Sequence, residues 1–401
     1  MANIAILGFG VVGSGVAEVI SENLEIIEKR INGELKIKYI LDLRDFPNSP
    51  FGNLVIHDFN TILNDPEITV VAEMMGGSHP AYDFSLAALK AGKSVVTSNK
   101  EVVSKFGVEL LQVARENNVR YLFEASVGGG IPIIRPLTND LAANSIRSIS
   151  GILNGTTNYI LTQMAQNGTD FSDALKDAQA KGYAEANPTA DVDGIDAARK
   201  IVILASLAFG KLINPDSIHT EGISKITVSD IEIAKDFGYA IKLIGHCETV
   251  DGKILAMVSP RLIPENNPIH TIDDVFNGIL VDANMLGTSM FYGRGAGKLP
   301  TASAVVADII DIAKSPKNDP CFPALEAAQS SELADFGDYK CKNMLVFEAS
   351  ADDAILDAFN ASAAISKNGK IAFITEEISE KELADKLAAL KDAPVSRIRL
   401  L

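Results

Sequence analysis

The apolar run at residues 3–7 ends in a glycine cluster at Gly8, Gly10, Gly13 and Gly15, after which Val16, Val19, Ile20 and Leu24 follow at helical spacing. The pattern predicts strand, tight turn and helix. Further strand-like runs at 35–41, 68–75, 94–97 and 119–125 are separated by helical patterns such as 79–91 and 101–116. Such alternation predicts a parallel sheet flanked by helices, here assigned to 1–129 with a return helix at 298–314. Residues 130–297 carry helical candidates at 156–166, 172–181 and 195–209, and β-branched segments at 146–153 and 253–262 predict strands of a separate sheet. Past the turn-prone stretch 315–320, strands at 344–349, 363–366, 370–375 and 395–400 and helices at 353–360 and 380–390 give the order βαββαβ, the ferredoxin-like split, over 319–401.

Composition narrows the class. A chain of 401 residues has room for two or three domains. Its formal charge of −16 repels nucleic acid and anionic lipid, so neither is an expected partner. Cys247, Cys321 and Cys341 are odd in number and widely spaced, which supports neither a disulfide framework nor a thiolate zinc site. The start MANIAILGFG lacks a basic n-region, and no uncharged apolar run reaches the ~18 residues that span a bilayer. A reducing, cytoplasmic setting is expected.

Gly8-Phe-Gly10-Val-Val-Gly13 has the form GxGxxG between a predicted strand and a predicted helix. The first glycine allows the turn, the second admits a pyrophosphate to the backbone, and the third lets the helix pack closely. A Rossmann dinucleotide-binding domain is expected at 1–129. At the end of the second strand, Asp42 would accept from a ribose 2′-OH and favour NAD, whereas Arg44 would pair a 2′-phosphate and favour NADP. The two residues point in opposite directions.

Reducing a carbonyl with a nicotinamide also requires a proton donor. The five histidines are scattered, and the region after the nucleotide sheet, 124–131, holds no cysteine nucleophile. The segment from Gly182 to Lys200 does hold candidates. Asp196 and Lys200 lie four apart on one helix face, which Ile203 and Leu207 continue, and Ser206 is the only polar residue from Ile201 to Phe209. An exposed ion pair is the plain reading of such spacing. A helix apolar all round is buried, however, so the pair is expected to line a cavity, where desolvation tunes the lysine as an acid. Glu185, Asp191 and Asp193, in the loop before it, suit an ammonium-bearing substrate, although Asp193 also suits a helix cap. Lys100 follows the fourth strand, where residues face the ligand crevice. Glu124 opens a glycine-rich loop that could hold a hard cation or simply connect domains.

The segments GFGVVGSG, SNK at 98–100, EASVGGGIPIIRPL at 124–137, GILNGTTNYIL at 151–161, AQAKGYAEANPTADVDGIDAARK at 178–200 and GRGAGKLPTASAVVADI at 293–309 resemble homoserine dehydrogenases. The resemblance implies reversible NAD(P)-dependent reduction of L-aspartate 4-semialdehyde to L-homoserine, on the route to threonine, methionine and isoleucine. It implies that residues 130–297 form the catalytic and dimerisation domain. It implies Lys200 as general acid or base with Lys100 as a second catalytic lysine, and Glu185, Asp191 and Asp196 as substrate ligands. Phe9, Gly10, Val12, Gly13, Ser98, Lys100, Gly182 and Gly297 correspond to cofactor positions, and Arg44 joins them from the reading above. A sodium site maps to Glu124 with the carbonyls of Val127, Gly129 and Ile131. A homodimer or tetramer is implied, and the monofunctional form is expected because no kinase region precedes residue 1. The tail resembles an amino-acid-sensing ACT domain, which implies an amino-acid effector, with the family's DKPGVL-type turn replaced here by ADDAI at 351–355. Two rivals are a dehydrogenase of another amino-acid semialdehyde and a non-catalytic protein that senses dinucleotide and amino acid.

Overall fold

The computed structural model describes residues 2–314, 322, 325–349, 354–359, 361 and 364–401. The chain forms two compact units, one of 1–144, 202–215 and 293–328, the other of 145–201, 216–292 and 329–401.

In the first unit, β1 (Ala2–Leu7), β2 (Leu35–Leu41), β3 (Val55–Ile56), β4 (Ile68–Glu73), β5 (Ser94–Thr97) and β6 (Tyr121–Leu122) form one parallel sheet in the order β3-β2-β1-β4-β5-β6. This is the Rossmann order, with a switch point beside β1. Every residue of β1 is buried, as a strand covered on both faces requires. Helices α1 (Val11–Ile31), α2 (Phe59–Leu63), α3 (Ala81–Lys90) and α4 (Lys100–Glu116) connect the strands. β3 and α2 lie in the insertion after β2 and escape the sequence pattern because they are two and five residues long. The strand expected at 119–125 shrinks to two residues, since Glu124–Ser126 winds into a 3₁₀ turn.

The return helix Lys298–Lys314 packs on α1, where a Cβ on Gly15 would stand 2.9 Å from the Lys298 carbonyl oxygen. It also retains the stretch after Gly130 in this unit. A Cβ on Gly130 would meet Pro300 at 2.7 Å, and Arg135 donates to the Asp308 carboxylate at 2.5 Å. The first unit therefore extends to Asn144, beyond the boundary expected at 129.

The second unit is built on a ten-stranded sheet. Its strands include β7 (Ile146–Ile152), β8 (Tyr239–Val250), β9 (Lys253–Pro264), β10 (Phe276–Ala283) and β11 (Gly287–Arg294) from the middle of the chain. The tail supplies β12 (Asn343–Glu348), β13 (Ala364–Lys367), β14 (Lys370–Ile374) and β15 (Ser396–Leu400). The order is β11-β10-β7-β8-β9-β15-β12-β14-β13, and His219–Thr220 also pairs with β9. Among the middle strands, β8, β10 and β11 are additions to the strands that the sequence pattern predicts. The tail strands alone run fourth, first, third, second, all antiparallel, with helices Ala354–Ala358 and Glu380–Ala388 between them; that is the ferredoxin-like order. Residues 315–321 and 350–353 fall outside the described residues, and with them Cys321 and most of the 351–355 turn.

On the middle strands lie α5 (Gly155–Asn167) and α9 (Val228–Asp236), α6 (Phe171–Ala180) and α7 (Thr189–Val192) pack on α5, and α8 (Ile195–Phe209) contributes its residues up to Ile201 to this unit. α8 is buried through Ile201–Ala205, as its uniform apolarity predicts. It sits close on β8 because Gly245 has no side chain: a Cβ there would come within 2.7 Å of Leu153 and 3.2 Å of Ile201.

The tail is stitched to β9 in register, Arg261 opposite Arg399 and Leu262 opposite Leu400, in a parallel step. Arg261 is fully buried and donates to the Tyr339 hydroxyl at 2.8 Å and the Leu400 carbonyl at 3.1 Å. Arg399 forks onto Glu380 at 2.8 and 3.1 Å and reaches Glu221 at 2.8 Å. Burial works against ionisation of Glu221, but His219 and Arg399 outweigh it and hold its carboxyl down at about 2. Removing one member of a buried ion network leaves its partners uncompensated. Arg399→Met is therefore expected to cost about 3 kcal/mol, read as a lowered denaturation midpoint; an unchanged midpoint would show that this network does not anchor the tail.

Candidate active site

At the carboxyl end of the parallel sheet, Gly8 turns the chain with φ +86°, and a Cβ on Gly13 would lie 1.9 Å from the Gly8 carbonyl oxygen. Nothing lies within 4 Å of the Cβ position at Gly10, the N-cap of α1, so the helix N-terminus is open to an anion. Phe9 points its ring inward against Phe46 and Phe51, and its amide donates to Asp42 at 2.8 Å. Val12 is half-buried beside the turn. Arg44 donates to both oxygens of Asp42, at 3.0 and 3.2 Å, while its side chain stays largely exposed. Burial opposes ionisation of Asp42, but the Arg44 guanidinium and the Phe9 amide outweigh it and bring the carboxyl down to about 2. The two residues that argued for different cofactors are thus partners.

Ser98, Asn99 and Lys100 link β5 to α4. Asn99 caps α4 by accepting from the Val102 amide and donates to the carbonyls of Met75 and Gly77 at 3.3 and 2.8 Å. Beneath it, Glu73 is fully buried at the end of β4, accepting from the Thr97 hydroxyl and the Met75 amide, each at 2.6 Å. Burial pushes its carboxyl up to about 7, against the opposing bonds from Thr97, Met75 and Asn99. Glu73 ties together the loops after β4 and β5. Its signal in the sequence was a lone carboxylate closing an apolar strand.

Past β6, Glu124 is buried and accepts from the amides of Ile133, Ile134 and Arg135 at 2.7, 2.9 and 2.8 Å. Burial and the charge of Glu124 push the neighbouring Asp308 up to about 7, against the pull of Arg135. The Glu124 carboxylate therefore has a structural task. Val127, Gly129 and Ile131 are buried on the loop that Glu124 opens. Backbone carbonyl oxygens and a carboxylate are the ligand types that a hard cation takes. Among the described residues, no cluster of three His, Cys, Asp or Glu suits a metal ion. Gly297, in the turn before the return helix, has φ +119°.

In the second unit, Lys200 is buried and donates to the Leu153 carbonyl and to Asp196 Oδ2, both at 2.7 Å. Asp196 is buried as well. Asn154, between β7 and α5, donates to Asp191 Oδ1 at 2.7 Å and to Asp196 Oδ2 at 2.9 Å. The structure thus brings Asp191, Asp196 and Lys200 together. Glu185 and Gly182 lie on the exposed loop after α6, Gly182 with φ +76°, and Asp193 is exposed at the end of α7. The Asp191 turn is braced from below: the Ile223 amide donates to the Val192 carbonyl at 2.8 Å, and a Cβ on Gly222 would fall 2.1 Å from that oxygen. Asn154 was missed as a site residue, although an Asn between strand and helix signals an N-cap. Cys247 and Cys341 are free and buried, and burial pushes both thiols up, which makes them poor nucleophiles.

A Rossmann sheet with an open glycine turn, in a chain that also buries a lysine–carboxylate pair, defines a dinucleotide-dependent oxidoreductase. The family profile "Homoserine dehydrogenase" matches residues 132–310, and "Homoserine dehydrogenase, NAD binding domain" matches 8–124. The chain is 45% identical to the homoserine dehydrogenase of Neisseria gonorrhoeae over 318 residues, 78% of this chain and 72% of the relative. It is 40% identical to that of Helicobacter pylori, covering 97% and 95%. The solved homoserine dehydrogenase of Thiobacillus denitrificans superposes with a TM-score of 0.91 at 37% identity, covering 100% of this chain and 98% of the other. A hyperthermophilic archaeal homoserine dehydrogenase mutant solved with NADPH superposes at 0.67 with 30% identity, covering 79% and 99%. The chain belongs to the homoserine dehydrogenase family and is an NAD(P)-dependent oxidoreductase of amino-acid biosynthesis that interconverts L-aspartate 4-semialdehyde and L-homoserine. Among the described residues no helix is long and apolar enough to cross a membrane.

The Glu73 carboxyl makes a prediction. Its pKa in the fold, about 7, lies above the ordinary 4.5, so folding favours the protonated form. The stability this confers is complete below pH 4.5 and is lost as pH rises through about 7. At higher pH the loss is on the order of 3 kcal/mol. Glu73→Gln should flatten that dependence, so its melting temperature relative to the parent should rise between about pH 5 and about pH 8.5. Parallel melting curves across that range would show that Glu73 does not titrate there.

Proposed function

We propose that Lys200 gives the proton and that Asp191 and Asp196 grip the substrate. Hydride from NAD(P)H adds to the carbonyl carbon of aspartate semialdehyde, and the oxygen takes a proton from the Lys200 ammonium, which yields homoserine and NAD(P)⁺. One observation carries this reading: Lys200 is buried, yet held at 2.7 Å by both the Leu153 carbonyl and Asp196. A carboxylate at that distance orients the ammonium and favours its charged form. Asp191 and Asp196, with Glu185 on its exposed loop, supply negative charge for the substrate ammonium. Lys100, at the start of α4, is the second lysine and serves the carbonyl and the nicotinamide.

The turn of Gly8, Phe9, Gly10, Val12 and Gly13 at the open end of α1 would hold the cofactor's pyrophosphate, with Ser98, Gly182 and Gly297 as further cofactor positions. Arg44 would pair the 2′-phosphate of NADP. The carbonyls of Val127, Gly129 and Ile131 would hold a sodium ion, which would supply a fixed positive charge in the glycine loop. The Glu124 carboxylate balances that charge while it holds the amides of residues 133–135. The protein acts in the cytoplasm as a homodimer or tetramer formed through the substrate-domain sheet, and the tail is an ACT-like element for an amino-acid effector.

Lys200→Ala is expected to lower kcat about 10²–10⁴-fold while titration with NAD(P)H gives an unchanged Kd. Ordinary turnover at saturating substrate would refute the role. Arg44→Ala should raise KM for NADP about tenfold and leave that for NAD nearly unchanged. Equal effects on both cofactors would remove Arg44 from the 2′ position.

A further inference from the structure

We infer that Asn154 is a positioning residue that clamps the two substrate acids together and sets the place of Lys200. The inference rests on the roles just proposed for Asp191, Asp196 and Lys200. Asn154 is 6% exposed, at the point where β7 gives way to α5. Its Oδ1 accepts from the Thr157 amide at 2.9 Å and the Thr157 hydroxyl at 3.1 Å, which caps the helix. Its Nδ2 donates to Asp191 at 2.7 Å and to Asp196 at 2.9 Å. A primary amide has two N–H donors, and each takes one carboxylate. The opposite orientation of the amide would set its oxygen against two anionic oxygens, so the partners fix which atom is nitrogen.

The two acids come from different elements, Asp191 from α7 and Asp196 from the first turn of α8. Left to themselves, two carboxylates repel. The amide offsets that repulsion without adding charge. It donates to Asp196 Oδ2, the same oxygen that receives Lys200, and Lys200 in turn reaches the carbonyl of Leu153, the residue just before Asn154. Two consecutive residues therefore fix one acid pair and one ammonium relative to the start of α5. A displacement of about 1 Å at such a site is enough to cost two orders of magnitude in rate.

Two functions of the side chain can be separated. Asn154→Asp and Asn154→Ser both retain an oxygen competent to cap α5, but neither has the two N–H donors. The full chain and both variants are to be compared by thermal melting and by steady-state kinetics with homoserine and NADP across a pH series. The expected result is near-parental melting for Asn154→Ser and a lowered midpoint for Asn154→Asp, which sets a third carboxylate against two others, with kcat lowered on the order of 100-fold in both and KM for homoserine raised less. In Asn154→Asp, which places a third carboxylate beside the ammonium, the pH profile of kcat should also move up by about one unit. A residue that only caps the helix would leave melting, kcat and the pH profile all in place, because both variants keep the capping oxygen. Kinetics within about twofold of the parent and an unmoved pH profile in either folded variant would overturn the clamp; should the aspartate variant not fold, the serine variant decides. Failure of the underlying reading looks different: Lys200→Ala would then turn over normally in the same assay.

Discussion

A charged lysine held in a protein interior is the constraint around which the second unit is arranged. Burial works against the ammonium, so its retention depends on an anion and on further acceptors at short range. Asp196 and the Leu153 carbonyl meet that need, and both must arrive from separate elements. Asp196 comes with the lysine on α8, one turn away. The carbonyl comes from the end of β7, and it reaches Lys200 only because α8 lies directly on the sheet where Gly245 has no side chain. The apolar run that follows Lys200 is the same device in another form, since it forces the helix inward and takes its first turn along.

Much of this was legible in the chain. The four-residue spacing of Asp196 and Lys200 put them on one face, and the uniform apolarity of 201–209 placed that face inside. The glycine turn was equally readable, because strand, turn and helix are local and each glycine has a steric reason. What was unreadable is non-local. Glu73 and Asn154 look like an ordinary strand end and an ordinary cap until the folded chain brings Thr97 and Asn99 to the one and Asp191 and Asp196 to the other. β8 and β10 were missed because segments covered on both faces carry no period of two, and β11 because its exposed face carries Met290 and Tyr292 while its half-buried face includes Ser289 and two glycines, so apolarity does not follow its alternation. The family motifs located Lys200 among its neighbours but said nothing of the amide that joins them.

The first unit solves a different problem with similar means. Three carboxylates stand at the ends of its strands without open exposure: Asp42 beside Arg44, Glu73 beneath the β5 loop, and Glu124 under three amides. Only the first has a cation in direct contact, and its carboxyl is held low, whereas Glu73 is pushed upward. Each fixes a loop by accepting backbone N–H groups. The sequence reading took Asp42 and Arg44 as competing markers, but in the fold they are one fork, so neither residue alone signals the preferred nucleotide.

The parallel seam between β9 and the last strand has a practical consequence for anyone recombining such proteins. A module joined by a tether can be exchanged at the tether, but here the final strand is hydrogen-bonded into its neighbour's sheet and Arg399 spans from Glu380 to Glu221. A graft from another sequence would have to bring a matching edge for Arg261 and an acid for Arg399. Compatible crossover points therefore lie upstream of β9, and swaps made at the start of the tail would leave a raw sheet edge prone to self-association.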